Sequence, residues 1–350
     1  MPNPIDIKSL DLEALQEALT NMGEKSFRAK QVYAWLWQKN AKSFDEMSDL
    51  SLALREKLKA NFLFQKLDVA DVQLSNDGTV KSAFQTPDKK VIEGVLIPTP
   101  KRLTACISSQ IGCSLTCAFC ATGKLKRLRN LTASEIVDQV VLINEQSLKN
   151  YQKPLTNIVY MGMGEPLLNY REVLRSVEKI TSPTGLGMSP KRITVSTAGI
   201  AKMIEKLGDD EVKFNLALSL HAANDEKRSK IMPINDQNNL AVLTKALQYF
   251  VSKTGQKVTF EYIIFKDFND SIEDAKELVR FCAKVPSKVN IIEYNPIDDG
   301  EFQKADEKKV DAFCAYLEEK GITANIRRSR GKDIDAACGQ LANKNKAVFA

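Results

Sequence analysis

Histidine is almost missing from this 350-residue chain, with His221 as its single copy. That excludes Cys2His2 fingers and H-E-x-x-H zinc sites, and it leaves a Ser-His-Asp hydrolase only one residue to serve as base. Long apolar runs are missing too. No stretch approaches the roughly 18 apolar residues of a membrane span, and the first twenty residues lack the basic and apolar regions of a signal peptide. A cytoplasmic protein without a membrane partner is expected. Seven cysteines is an odd number, and Cys106, Cys113, Cys117 and Cys120 crowd into fifteen residues, which argues against a secreted disulfide framework. Metal or thiol chemistry remains.

What is present is a loop of the form C-x3-C-x2-C, formed by Cys113, Cys117 and Cys120. Thiolates at this density bind soft metal, and three ligands leave one iron of a [4Fe–4S] cube free to bind something else. A structural zinc site is the competing reading, but it needs a fourth ligand. Cys282 and Cys314, in Phe281-Cys282-Ala283 and Phe313-Cys314-Ala315, read as helical core residues.

The charge balance, 50 basic against 44 acidic residues, is compatible with a polyanionic partner without requiring one. Its clustering says more. Lys124, Lys126, Arg127 and Arg129 follow the cysteine loop, and Arg327, Arg328, Arg330 and Lys332 precede Cys338. Such strips suit phosphate binding, although solvated surface runs would look the same.

Apolar spacing predicts helices across 11–62, with Asp11 and Ser26 as N-caps. Strands are predicted at 66–75 and 79–86, joined at Asp77-Gly78, and at 90–98. From 103 onward strands alternate with amphipathic helices, and Thr132 to Glu135 has the form of a capping box. The repetition predicts a parallel sheet with right-handed crossovers, an α/β fold read as an incomplete (β/α)6 TIM-like barrel. The expected organisation is an N-terminal accessory region over 1–98, divided into a helical module (1–64) and a β-meander (65–98). A core follows over 99–333, then a C-terminal segment over 334–350.

The strand ends of such a barrel build its active site, and four informative sequences fall there. They are the cysteine loop, Gly162-Met163-Gly164-Glu165-Pro166, Ser219-Leu220-His221 and Asn295-Pro296. The glycines are expected to bring backbone close to a ligand, with Glu165 available for a cationic group. Ser196, Thr197 and Asn295 offer polar partners, though each alone reads as a cap or turn residue, and His221 alone reads as a structural histidine.

Together these features resemble the radical S-adenosylmethionine (SAM) superfamily over most of 103–333. The strings Met161-Gly-Met-Gly-Glu-Pro166, Ser196-Thr-Ala-Gly199, Ser219-Leu-His-Ala222, Met232-Pro-Ile-Asn235 and Asp333-Ile-Asp-Ala-Ala-Cys-Gly-Gln-Leu341 narrow it. They resemble the RlmN-type adenine carbon-2 methyltransferases of 23S rRNA and tRNA. The resemblance implies one [4Fe–4S] cluster on Cys113, Cys117 and Cys120. It also implies a SAM pocket lined by Gly164, Glu165, Ser196, Ser219, Leu220, His221 and Asn295.

In such enzymes Cys338 would carry a methyl taken from one SAM, and a second SAM would supply the radical that activates it. Cys106 would resolve the protein–RNA adduct by forming a disulfide with Cys338, and Glu93 would remove the hydrogen of carbon 2. The implied partners are 23S rRNA, tRNA with its adenosine 3′ of the anticodon, a flavodoxin-type reductant for the cluster and a reductant for the disulfide. The N-terminal module and the basic strips would hold RNA. Two rival readings stand beside this one: a carbon-8 adenine methyltransferase of the antibiotic-resistance type, and a zinc-stabilised RNA-binding module without catalysis.

Overall fold

A computed structural model describes residues 4–343, and the end of the expected C-terminal segment, 344–350, lies outside the described residues. Ten strands form one sheet in strictly sequential order. The first four are β1 (Asp68–Leu74), β2 (Val80–Gln85), β3 (Val91–Thr99) and β4 (Arg102–Cys106), and these pair antiparallel. Next come β5 (Asn157–Tyr160), β6 (Ile193–Thr197), β7 (Asn215–Ser219), β8 (Val258–Ile264), β9 (Ser287–Glu293) and β10 (Ala324–Arg327). From β4 to β10 every pairing is parallel.

Before the sheet come three helices, α1 (Leu12–Asn21), α2 (Phe27–Trp37) and α3 (Leu52–Asn61). The crossovers of the parallel strands carry α4 (Ala133–Tyr151), α5 (Tyr170–Thr181), α6 (Ala201–Asp209), α7 (Asp225–Ile231) with α8 (Leu240–Thr254), α9 (Ile272–Cys282) and α10 (Glu307–Glu319). The expected barrel is therefore present, with one further parallel strand after the last crossover. Its curvature follows from one distance. Arg327, on β10, brings Nη1 to 3.9 Å from Sδ of Met161, just past β5. Five strand spacings would put those positions about 24 Å apart in a flat sheet, so the sheet curls round a central space.

Local chemistry accounts for the elements. Every residue of β8 is buried, and its β-branched and aromatic content is what a parallel strand covered on both faces requires. Thr132 and Glu135 close the capping box at the start of α4. Asn239 caps α8, which ends at Gly255 with φ +68°. Asp11 caps α1 by accepting from the Ala14 amide, whereas Ser26 has helical backbone and makes no side-chain cap bond, contrary to expectation.

The meander is continuous with the barrel, because β3 pairs with β4 through Val95 and Cys106. The helical module packs against α4 and α5. Buried Lys8 pairs with Asp138 at 2.8 Å, Arg175 donates to the Ser9 carbonyl at 2.9 Å, and Lys179 meets the Tyr33 hydroxyl. One apolar cluster runs through both parts, from Ile7 and Leu15 to Leu317.

Candidate active site

At the C-terminal ends of the parallel strands lies a cavity of about 1440 Å³, counting its open mouth. Cys113, Cys117 and Cys120 border it on one side. Their loop is shaped by its ends, where Gln110–Ile111 pair antiparallel with Arg129–Asn130. Gly112 has φ +74°, and a Cβ there would stand 2.3 Å from the Lys126 carbonyl, so only glycine admits the hairpin. The Ala118 amide then donates to the Ile231 carbonyl at 3.0 Å, pinning the loop to α7.

Burial pushes the Cys113 thiol up to about 11 and raises Cys117 and Cys120 as well. In Cys113 and Cys117 the neighbouring sulfurs add to the effect. Three crowded, desolvated thiols ionise readily only when cations take the place of their protons, which is the chemistry of a metal-cluster ligand set. Among the described residues no three His, Cys, Asp or Glu side chains converge to hold one ion as a zinc site does. A cube differs in spreading its thiolates over separate irons.

Gly162 and Gly164 of the Gly-Glu-Pro turn line the cavity, and they also allow a close approach within the protein. A Cβ on Gly162 would lie 2.7 Å from the Ile107 carbonyl, and one on Gly164 (φ +96°) would lie 2.5 Å from Cβ of Gln110. The close approach is to the Ile107 backbone in one case and chiefly to the Gln110 side chain in the other. The turn after β5 is pressed onto the start of the cysteine loop, where the Ser109 amide donates to the Met163 carbonyl at 2.9 Å. Glu165 is buried at the cavity wall, and its carboxylate accepts from the amides of Leu167 at 2.9 Å and Ala198 at 2.7 Å. Burial raises its pKa against those two bonds.

Ser196 and Ser219 face the same space from β6 and β7, with their hydroxyls 3.4 Å apart. His221 has φ +55° and is buried, with its ring edge-on to Phe119 at 4.7 Å between centroids. Its Nδ1 accepts from the Ile263 amide at 3.0 Å, so Nε2 carries the proton and can donate. Burial pushes its pKa down to about 3. Leu220 is buried in the wall without lining the cavity, and its carbonyl accepts from Arg228 at 3.2 Å.

Cys106, at the end of β4, and Cys338 both line the cavity and both thiols are free. Burial raises both, Cys106 to about 12, and Arg327 offsets part of this in each. Cys338 still keeps accessible surface. It lies on a strap, residues 328–343, that crosses the mouth. Asn295 lies outside the cavity lining and donates to the Cys338 carbonyl at 3.3 Å, so it holds the strap. Glu93 also lies outside the lining. It is buried, and Oε2 accepts from the amides of Ala342 at 2.9 Å and Asn343 at 3.1 Å. Its Oε1 has no hydrogen bond and stands 3.7 Å from Nζ of buried Lys81.

The basic strips are partly tied down. Arg328 and Lys332 each reach Glu293 at 2.9 Å, joined by Lys304 at 3.4 Å, and Arg129 pairs with Asp88 and Glu135. Glu261 and Arg327 were not foreseen as site residues, yet both line the cavity, paired at 3.0 Å, with Asn290 donating to the other Glu261 oxygen at 2.8 Å. A glutamate inside the otherwise uncharged run Val258–Ile264 was the available signal.

Residues 107–282 match the Radical SAM superfamily. The class defined by fold and site is thus a radical SAM enzyme, which works with SAM and an iron–sulfur cluster. Residues 5–63 match the ribosomal RNA large subunit methyltransferase N-terminal domain. Over 340 residues the chain is 57% identical to a probable dual-specificity RNA methyltransferase RlmN of Christiangramia forsetii, covering 97% of both chains. A protein of the same description from Cytophaga hutchinsonii is 57% identical over 338 residues, covering 97% of this chain and 93% of its own. The crystal structure of a radical SAM methyltransferase from Sphaerobacter thermophilus superposes with TM-score 0.91 at 39% identity, covering 97% of this chain and 99% of the other. The chain belongs to the RlmN family of RNA methyltransferases.

Proposed function

We propose that this enzyme methylates carbon 2 of an adenosine in 23S rRNA, and of the adenosine 3′ of the anticodon in tRNA, using Cys338 as methyl carrier. The observation that carries the reading is the meeting of two free thiols, Cys106 and Cys338, in one cavity bordered by three further cysteines. Carbon 2 lies between two ring nitrogens and is electron-poor, so it cannot attack the electrophilic methyl of SAM. A [4Fe–4S] cluster on Cys113, Cys117 and Cys120, when bound, would deliver the electron that turns SAM into a hydrogen-abstracting radical.

The remaining work falls to side chains of this chain. Cys338, whose thiol burial pushes up and Arg327 partly pulls back down, attacks the methyl carbon of a first SAM as a thiolate; the new S–C bond forms as the sulfonium S–C bond breaks, and S-adenosylhomocysteine leaves. Glu165, fixed by two amides, faces the amino group of SAM, and neutral His221 donates through Nε2, with Ser196 and Ser219 beside them. After the methyl carbon, stripped of one hydrogen at the cost of a second SAM, has joined carbon 2, the adduct sheds one proton and one electron: Glu93 would take the proton that carbon 2 carried, and the electron would return to the cluster, when bound, leaving a closed-shell thioether. The Oε1 of Glu93, which accepts no hydrogen bond and pairs with Lys81 Nζ only at 3.7 Å, is the oxygen that would do so.

Cys106 then attacks the sulfur of Cys338. The S–S bond forms, the S–C bond breaks, and its electron pair goes to the carbon, which gains a proton and becomes the product methyl. An external thiol reductant resets the pair, and a flavodoxin-type donor serves the cluster. RNA would dock on the N-terminal module and the basic rim, with the target base extruded toward Cys338. No helix among the described residues is long and apolar enough to cross a membrane, which fits a cytoplasmic setting.

Mass spectrometry of RNA treated with the reconstituted enzyme, together with the mass of the Cys338 peptide, tests this. Methyl on adenine carbon 2 and one extra methyl on the peptide are expected. Methyl on carbon 8, or a colourless zinc protein without iron and sulfide, would overturn the assignment.

A further inference from the structure

The motif that begins at Asp333 is only partly used by the chemistry above, which needs Cys338 alone. Asp333 is exposed and distant in sequence from the meander, yet it is fastened there. Its Oδ1 accepts from the Ser75 hydroxyl at 2.6 Å and its Oδ2 from the Asn76 amide at 3.0 Å. The clasp is reciprocal, because Asp77 in the same hairpin tip accepts from the Gly331 amide at 2.9 Å and, through its carbonyl, from Arg330 at 3.3 Å. Gly331 has φ +67°, and a Cβ there would lie 2.7 Å from Ala336 and 2.9 Å from Thr79, so strap and hairpin are in contact at this point.

The far end of the strap is fastened to the same meander. Glu93 on β3 binds two successive amides, those of Ala342 and Asn343, while the Asn343 side chain donates to the Val91 carbonyl at 2.8 Å. Between these ends the strap carries Cys338 across the mouth. There the Ala121 amide donates to the Gly339 carbonyl at 2.7 Å and Thr122 donates to the Leu341 carbonyl at 2.6 Å.

We propose that the β-meander is the dock of the methyl-carrier strap, and that Asp77, Asp333 and Glu93 are positioning residues that set where Cys338 stands over the cavity. The physical reason is entropic. A segment fixed only near its middle samples many arrangements of its thiol, whereas closure at both ends confines the reactive sulfur to the narrow range that displacement on SAM requires. The role of the meander is thereby distinct from RNA contact. The proposal rests on the reading of Cys338 as methyl carrier.

Asp333→Ala in the full-length, cluster-reconstituted protein is the test, since this residue is exposed and outside the cavity lining. Two quantities are read: hydrogen exchange of the peptide spanning 336–343, and the rate of Cys338 S-methylation with SAM before RNA is added. At least tenfold faster exchange and at least tenfold slower methylation are expected, with iron and sulfide content unchanged. Asp333→Asn, which can accept from Asn76 and donate to Ser75, restores both. Wild-type exchange and methylation in Asp333→Ala overturn the dock, as does a loss that Asp333→Asn fails to rescue. If wild-type Cys338 never gains a methyl, the carrier reading falls, and the exchange measurement alone then upholds or refutes the dock.

Discussion

Glu293→Gln measures how firmly the cationic rim is organised. At the end of β9, Glu293 gathers Lys332, Arg328 and Lys304 at 2.9, 2.9 and 3.4 Å, with its own side chain almost fully buried. Burial alone would raise its pKa; hydrogen bonds from Lys332 and Arg328 and the nearby charges outweigh this and hold it at about 2, against an ordinary 4.5. That fall corresponds to about 3 kcal/mol at roughly 1.36 kcal/mol per pH unit. The partner side chains are about half exposed, so solvent screening reduces the net contribution to about 1–2 kcal/mol. A carboxylate with a depressed pKa contributes stability that is complete above pH 4.5 and is lost as pH falls toward 2. Urea titrations at pH 7, 5 and 3 should therefore show Glu293→Gln less stable than wild type by about 1–2 kcal/mol at pH 7, with an unchanged slope and a gap that narrows at pH 3. In 1 M salt the gap should shrink further. Equal stability at pH 7, or a gap that widens in acid, would refute the reasoning.

Other substitutions probe the cavity. Cys106→Ala should trap a covalent protein–RNA adduct under turnover, visible as a shifted band that RNase removes; free RNA product at the wild-type rate contradicts the resolving role. His221→Asn keeps a residue suited to φ +55° but removes a neutral imidazole whose pKa falls from 6.5 to about 3. Such a group withdraws stability as pH drops from 6.5 toward 3, so the variant's stability should decline less steeply with acid over that range. Identical pH slopes in denaturation experiments would exclude it. Gly164→Ala combines a left-handed backbone with a Cβ 2.5 Å from Gln110, and should cost about 2–4 kcal/mol. An unchanged denaturation midpoint would show that the turn can yield.

Much of this site was legible because its chemistry is dense in sequence. The cysteine loop, the Gly-Glu-Pro turn and Ser219-Leu-His221 each sit at a strand end, and the alternation of strands and helices predicts that such ends converge. Relations between distant segments were not legible. The chain gives no local sign that Glu93 holds the amides of Ala342 and Asn343, or that Asn295 binds the carbonyl of Cys338 rather than facing the cavity. The sequence likewise does not reveal that the turn's glycines, besides lining the cavity, lie against Ile107 and Gln110. Arg327 was grouped with a surface strip, since only the curl of the sheet brings β10 round to Met161.

The order in which the walls appear along the chain has a consequence for biogenesis. The cysteine loop precedes most of the barrel, whereas Arg327 and the strap with Cys338 follow its last crossover helix. During synthesis the loop leaves the ribosome long before its cover does. A nascent chain therefore exposes the sulfurs of Cys113, Cys117 and Cys120 to solvent before Cys338 has been added. The strap can cover the cavity only after those sulfurs have emerged.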